Sequence, residues 1–168
     1  MSGVTARTAT VDDAEAIRAI YNTEVTTATS TFDLVPRSLE DQRRWLRERS
    51  GAFAAIVAVD DSHPGSPVAG FASLSPYKDR AAYSTTVEDS VYVDRAFTGK
   101  GVGTLLLSRL VDIARTSGFH TVIARIEASG MTSRALHAKC GFELVGIERQ
   151  VGRKFGRWLD VAVMQRLL

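Results

Sequence analysis

Apolar and polar positions change period several times along the chain, and each change marks an element. Residues 5–11 alternate weakly and predict a first strand. Asp12 and Asp13 then offer carboxylates to cap a helix in which Ala14, Ile17, Ile20 and Tyr21 recur at helical spacing. Ser38 opens a second helix that should run to Arg49. Residues 53–59 form a short apolar run rich in β-branched side chains, closed by Asp60, Asp61 and the turn-rich stretch 62–67. Residues 68–74 read as its hairpin partner, and 90–94 as the end of a further strand.

The longest helical signal spans 101–117, where Val102, Leu105, Leu106, Leu110, Ile113 and Ala114 make one apolar stripe. Gly118 stands where a glycine C-cap belongs. Residues 121–126 read as a strand, 132–139 as a short helix stopped by Gly141, and 142–147 and 158–164 as two closing strands. The order is β-α-α-β-β-β-α-β-α-β-β. A meander followed by a β-α-β-α unit predicts an α/β fold with a mixed, mostly antiparallel sheet and helices on both faces.

One stretch departs from plain secondary-structure patterning. Val91-Tyr92-Val93 ends a strand, and Thr98, Gly99, Lys100, Gly101, Val102, Gly103 and Thr104 lead into the long helix. Glycines allow close backbone approach, and free N–H groups at a helix start favour negative charge, so this is a candidate phosphate cradle. A Walker loop is excluded because no Gly-Lys-Ser/Thr follows the spacer. A dinucleotide fold is excluded because the turn follows the fourth strand rather than the first.

Composition narrows the partners. The 168 residues fit one domain, and 45% hydrophobic with 24% charged is ordinary globular usage. A net charge of +2, from 21 basic and 19 acidic residues, does not point to nucleic acid. The single cysteine, Cys140, rules out an internal disulfide, and no metal-type cysteine spacing exists. No apolar run approaches membrane-spanning length and the N-terminus has no apolar signal core, so a cytoplasmic protein is expected.

The glycine turn resembles the pyrophosphate loop of the GNAT acetyltransferases, whose pattern is Arg/Gln-x-x-Gly-x-Gly/Ala. Further blocks carry the resemblance along the chain: Ile20-Tyr-Asn22, Ser30-Thr-Phe32-Asp33, the stretch 86–93, Ala135-Leu-His-Ala-Lys-Cys-Gly-Phe142 and the stretch 151–160. Together they are similar to the phosphinothricin and methionine sulfoximine acetyltransferase branch. The resemblance implies one N-acetyltransferase domain over 1–168, acetyl-CoA as co-substrate without a metal, a small amine or amino acid acceptor, and a homodimer. Two positions depart from the pattern: Thr98 replaces the usual Arg or Gln, and Gly130 stands in place of an asparagine that contacts coenzyme A. Ser133 follows on the same turn. Acetylation of a protein N-terminus or polyamine, and a non-catalytic acyl-CoA-binding module, remain alternatives.

Amine acetylation needs a group to take the ammonium proton and donors for the thioester oxygen. The resemblance places a catalytic carboxylate at Glu88 and a histidine near the acetyl group at His137. Strand alternation puts Glu88, Ser90 and Tyr92 on one face and Asp89 on the other, where a structural role is expected. Lys78 and Arg80, followed by Tyr83, are candidates to hold a substrate carboxylate, and Phe32 a pocket wall. His63, His120 and Cys140 receive no chemical role.

Overall fold

The computed structural model describes residues 3–168. Seven strands form one sheet in the order β1-β2-β3-β4-β5-β7-β6. They are β1 (Val4–Thr8), β2 (Ala55–Asp60), β3 (Val68–Pro76), β4 (Thr86–Val93), β5 (Thr121–Glu127), β6 (Glu143–Lys154) and β7 (Arg157–Leu167). Helices α1 (Ala14–Thr27) and α2 (Leu39–Arg47) follow β1, α3 (Val102–Thr116) links β4 to β5, and α4 (Met131–Lys139) links β5 to β6. Every strand pair is antiparallel except β4 with β5.

Strand alternation divides the core in two. Ile56, Ala58, Ala72, Leu74 and Val87 point to one face, where Leu106, Leu107 and Leu110 of α3 are fully buried against them. Ala55, Val57, Val59 and Phe71 point to the other, under Ile17, Ile20, Tyr21 and Val25 of α1 and Leu46 of α2. Each large aliphatic side chain so buried contributes about 1.5–3 kcal/mol. The expected helices on both faces are therefore present, with α1 and α2 opposite α3.

Several boundaries move for local reasons. β1 ends at Thr8 because Thr10 begins a turn in which its N–H donates to Asp13 Oδ2 at 2.7 Å. Asp13 also takes a two-pronged ion pair from Arg7, so its carboxylate is not available to α1 as the sequence suggested. Ser38 does cap α2, accepting from the Asp41 N–H at 3.1 Å, but that helix stops at Arg47. Residues 51–53 form a 3-10 turn, so β2 starts at Ala55. The last two strands are longer than predicted: β6 continues through an irregular register beyond Glu148 to pair Gly152, Arg153 and Lys154 with β7.

Gly70 marks a close approach of β3 to β4 and α3. A Cβ there would lie 2.8 Å from the Tyr92 carbonyl oxygen, 3.1 Å from Leu106 and 3.2 Å from the Val93 Cα. Two of those neighbours are backbone and cannot swing aside. Gly70→Ala should therefore cost about 1–3 kcal/mol, read as a lowered urea midpoint with unchanged m-value. A variant as stable as the parent would show that β3 and β4 can part there without penalty.

Candidate active site

β4 and β5 pair over three residues only, Thr86 with Thr121, Val87 with Val122 and Glu88 with Ile123. Beyond Glu88 each strand stays bonded to its other neighbour, β4 to β3 and β5 to β7, while the two separate from one another. The parting opens a cavity of about 510 Å³, lined by β4 from Glu88 to Tyr92, by β5 from Ala124 to Glu127, by residues 28–32 and by Gly130, Ser133 and His137. Glu88 stands at the vertex.

Glu88 is half-buried. Burial pushes its carboxyl above the ordinary range, Arg125 pulls it back, and Asp89 and Glu148 push it further up. Arg125 is held by a bidentate ion pair to Glu148, at 2.9 and 2.6 Å. Arg125 and Glu148 are site residues that sequence reasoning missed. A strand arginine reads as a solvated charge until the register sets it on the Glu88 side of β5.

The other face of β4 carries a buried pair. Asp89 Oδ2 lies 2.8 Å from His137 Nε2, and the Ser133 carbonyl 2.7 Å from His137 Nδ1. A carbonyl only accepts, so Nδ1 carries a proton and donates to Ser133, and Nε2 faces the Asp89 carboxyl. Burial lowers the His137 pKa, but the hydrogen bond and charge of Asp89 and the Ser133 carbonyl outweigh it and the net shift is upward. In this arrangement both ring nitrogens of His137 are engaged, one by Asp89 and one by the Ser133 carbonyl. Asp89 does have the structural place expected, opposite Glu88. Its partner His137 was not foreseen, since only the tertiary fold brings α4 against this face of β4.

The loop between α1 and α2 closes the cavity from the Glu88 side. Thr29 donates to Glu127 at 3.1 Å, and buried Lys154 donates to the Thr31 carbonyl at 2.8 Å. Phe32 lines the cavity with its ring over Gly152, where a Cβ would lie 2.2 Å away. The 151–160 motif thus builds the seat of this loop. Tyr92 packs against Tyr21 and Phe71, and burial raises its hydroxyl pKa. Lys78, Arg80 and Tyr83 do not line the cavity; Lys78 Nζ lies over the Tyr77 and Tyr83 rings.

At the start of α3, Gly99 and Gly101 take φ of 79° and 83°, which side chains rarely adopt. Among the described residues, the N–H groups of Gly101, Val102, Gly103 and Thr104 have no backbone acceptor. Gly103 differs from the other two: it lets α4 approach, since a Cβ would lie 2.9 Å from Leu136. Gly130 lies in a tight turn, donating to the Glu127 carbonyl at 2.8 Å, with room for a Cβ only 3.0 Å from that oxygen. Cys140 is buried beside Ser108, and His63 binds Asp60 in a turn. No cluster of metal-ligating side chains occurs among the described residues.

A sheet that parts at its single parallel junction, beside a helix start whose N–H groups are left free, defines the class: a transferase of the GNAT fold. The chain belongs to the acetyltransferase (GNAT) family, whose model matches residues 15–142. It is 38% identical over 159 residues to the L-methionine sulfoximine/L-methionine sulfone acetyltransferase of Pseudomonas paraeruginosa, covering 95% of this chain and 91% of that one. It is equally 38% identical over 159 residues to the phosphinothricin N-acetyltransferase of Streptomyces coelicolor, covering 94% and 92%. The phosphinothricin acetyltransferase of Sinorhizobium meliloti, solved in complex with acetyl-CoA, superposes with a TM-score of 0.92 at 37% identity, covering 99% of this chain and 89% of that one.

The His137–Asp89 pair makes stability pH-dependent. A histidine whose folded pKa is raised stabilises fully below its unfolded value of about 6.5, and the contribution fades as pH rises through the folded value. The stability gap between the parent and His137→Gln should therefore be widest near pH 6 and narrow as the solution becomes alkaline. Urea unfolding over that range checks it; a constant gap would mean that the pair does not titrate.

Proposed function

We propose that this chain is an N-acetyltransferase that moves the acetyl group of acetyl-CoA to the amine of a small amino acid-like molecule, with Glu88 as general base. The observation that carries this reading is Glu88 itself: a half-buried carboxylate, shifted upward by burial, at the vertex of the parted strands. A carboxylate in that place attracts an ammonium and stands where it can take its proton. Only the free amine can attack.

The residues present fit acetyl-CoA. The Gly99–Thr104 turn has free N–H donors for a pyrophosphate, and they do not depend on the Thr98 side chain. Val91, Tyr92 and Val93, on the open edge of β4, would run beside the pantetheine arm, with Gly130 and Ser133 across from them. Acetyl-CoA supplies the activated acetyl group. The chain's own residues do the rest: Glu88 accepts the amine proton, Arg125 tempers its charge, Phe32 walls the acceptor, and the Asp89–His137 pair holds β4 to α4 from behind. We take His137 to be a positioning residue.

The relatives named for methionine sulfoximine, methionine sulfone and phosphinothricin support an amino acid acceptor. The exposed Leu144, Val145 and Ile147 on the edge strand β6 support a homodimer, and the lone buried Cys140 a reducing, cytoplasmic setting.

Glu88→Gln keeps the shape and removes the base. Its kcat should fall by about 10²–10⁴ at neutral pH, with acetyl-CoA affinity unchanged, and the deficit should shrink as alkali frees the amine unaided. Thiol release followed across pH is the measurement; near-parental kcat at pH 7 would remove Glu88 from the mechanism.

Gly101→Val tests the cradle separately. Nothing lies within 4 Å of the added Cβ, so the strain is in the backbone at φ 83°. About 1–2 kcal/mol of left-handed strain should reshape the turn and raise the acetyl-CoA KM roughly tenfold. An unchanged KM in the folded variant would place the pyrophosphate elsewhere.

A further inference from the structure

Glu88 has an arginine close by and makes no bond to it. The carboxylate is half-buried, yet among the described residues it has no hydrogen-bond or ion-pair partner. Arg125 is the cation that acts on it, and Arg125 gives both terminal nitrogens to a different carboxylate, that of Glu148.

The sheet register shows how unequal the two choices are. Glu88 pairs with Ile123, and Arg125 is the next residue of β5 on that face. Arg125 pairs with Val163 of β7, Glu127 with Val161, and Val161 in turn with Glu148 of β6. Paired residues share a face, so Glu88, Arg125 and Glu148 all project to the side that carries α1 and α2. Glu88 lies one strand away from Arg125 and two residues back, about 8 Å between Cα atoms at ordinary strand spacing. Glu148 lies two strands away in the other direction, about 12 Å by the same spacing. Arg125 thus reaches across β7 to the more distant carboxylate.

The other groups around Glu88 have partners of their own. Ser75, across from it on β3, is bonded to Arg49 at 3.1 Å. Glu127, beyond Arg125 on β5, accepts from Thr29 and Ser129. Asp89 points to the opposite face and pairs with His137. Tyr77, after β3, acts on Arg125. Residues 28–32, which cover the cavity, bring no titratable side chain. Whether Arg125 stays on Glu148 or turns to Glu88 therefore decides the charge that Glu88 meets. A guanidinium closed on Glu88 would occupy the carboxylate oxygens and favour their charged form, which makes a poor proton acceptor.

We propose that Glu148 is a positioning residue: it holds Arg125 toward β6, keeps it from closing an ion pair with Glu88, and so leaves the Glu88 carboxylate free to receive a proton. This role rests on Glu88 as the proton acceptor proposed above and adds the residue that keeps its one neighbouring guanidinium in check.

The protonation of Glu88 is read without turnover by carbon-13 NMR of protein labelled at the glutamate side-chain carboxyls, its resonance assigned by its loss in Glu88→Gln. Arg125 and Glu148 are 35% and 39% exposed, so their substitution spares the core. Glu148→Ala should move the Glu88 titration down by roughly one pH unit, the effect of an opposite charge brought close. Arg125→Gln should move it up. In the Arg125→Gln background, Glu148→Ala should do far less, because no cation is left to release. The acid limb of kcat/KM for L-methionine sulfone should shift in the same order, with the acetyl-CoA KM unchanged.

A Glu88 titration that ignores Glu148→Ala, or that moves as far without Arg125 as with it, would overturn the proposal and leave Glu148 a distant charge. If Glu88→Gln abolishes the acid limb but Glu148→Ala leaves it in place, the base stands and the role of Glu148 is lost. If the NMR shifts follow the expected order while Glu88→Gln keeps the parental limb, Glu148 holds the arginine as described and the base is another group.

Discussion

Everything at the site depends on β4 and β5 ceasing to pair after Glu88 and Ile123. A parallel ladder continued to Val93 and Glu127 would close the sheet and leave no cavity. Each strand instead stays bonded on its far side, so the parting exposes one edge of each rather than two free strands. Exposed strand edges carry unpaired N–H and C=O groups, which ordinary proteins cover. Here they face the cavity, where an extended chain with amide groups of its own can satisfy them. The same parting makes both faces of the sheet accessible from one space, so Glu88 and Asp89, neighbours pointing opposite ways, both line it.

The two faces are built differently. Behind β4, Asp89 and His137 pair within an apolar core that includes Leu106 and Phe142, and Gly103 lets α3 and α4 come together there. In front, Phe32, Tyr92 and Trp45 share the space with Arg37, Arg49 and Arg125, and the loop that covers it hangs from Lys154 and Thr29. Buried polar groups are as a rule paired, yet each face leaves an atom short among the described residues: Asp89 Oδ1 behind β4 and Arg49 Nε in front.

Much of this was legible in the sequence. The stripe from Val102 to Ala114 named α3, and the glycines at 99 and 101 marked a turn that demands positive φ. The alternation of Glu88 and Asp89 was enough to separate their faces. Other parts were not legible, for identifiable reasons. The far half of β6, from Glu148 to Lys154, has no alternating pattern because its register is irregular and most of it is exposed. Arg49 follows the last turn of a helix and Arg125 sits in a strand. Alone, each reads as a solvated charge, and only the tertiary pairing with Ser75 or Glu148 gives it a place. Gly103 looked like a third member of the cradle, yet its side-chain space is taken by Leu136.

The electrostatics of Glu88 show why these charges must be arranged rather than merely present. A base for an ammonium has to be charged when the acceptor arrives, yet basic enough to take a proton from it. Burial raises its pKa. Arg125 opposes that, and full contact with Arg125 would carry the shift too far the other way. The bidentate bond to Glu148 engages Arg125 and adds a negative charge to the surroundings of Glu88. The Glu88 carboxyl therefore stays above its ordinary value with a cation close by. An isolated pair of opposite charges would pin it as a carboxylate. A chain of three, Glu88, Arg125 and Glu148, places opposing charges around it, which is the setting the proposed proton acceptor needs.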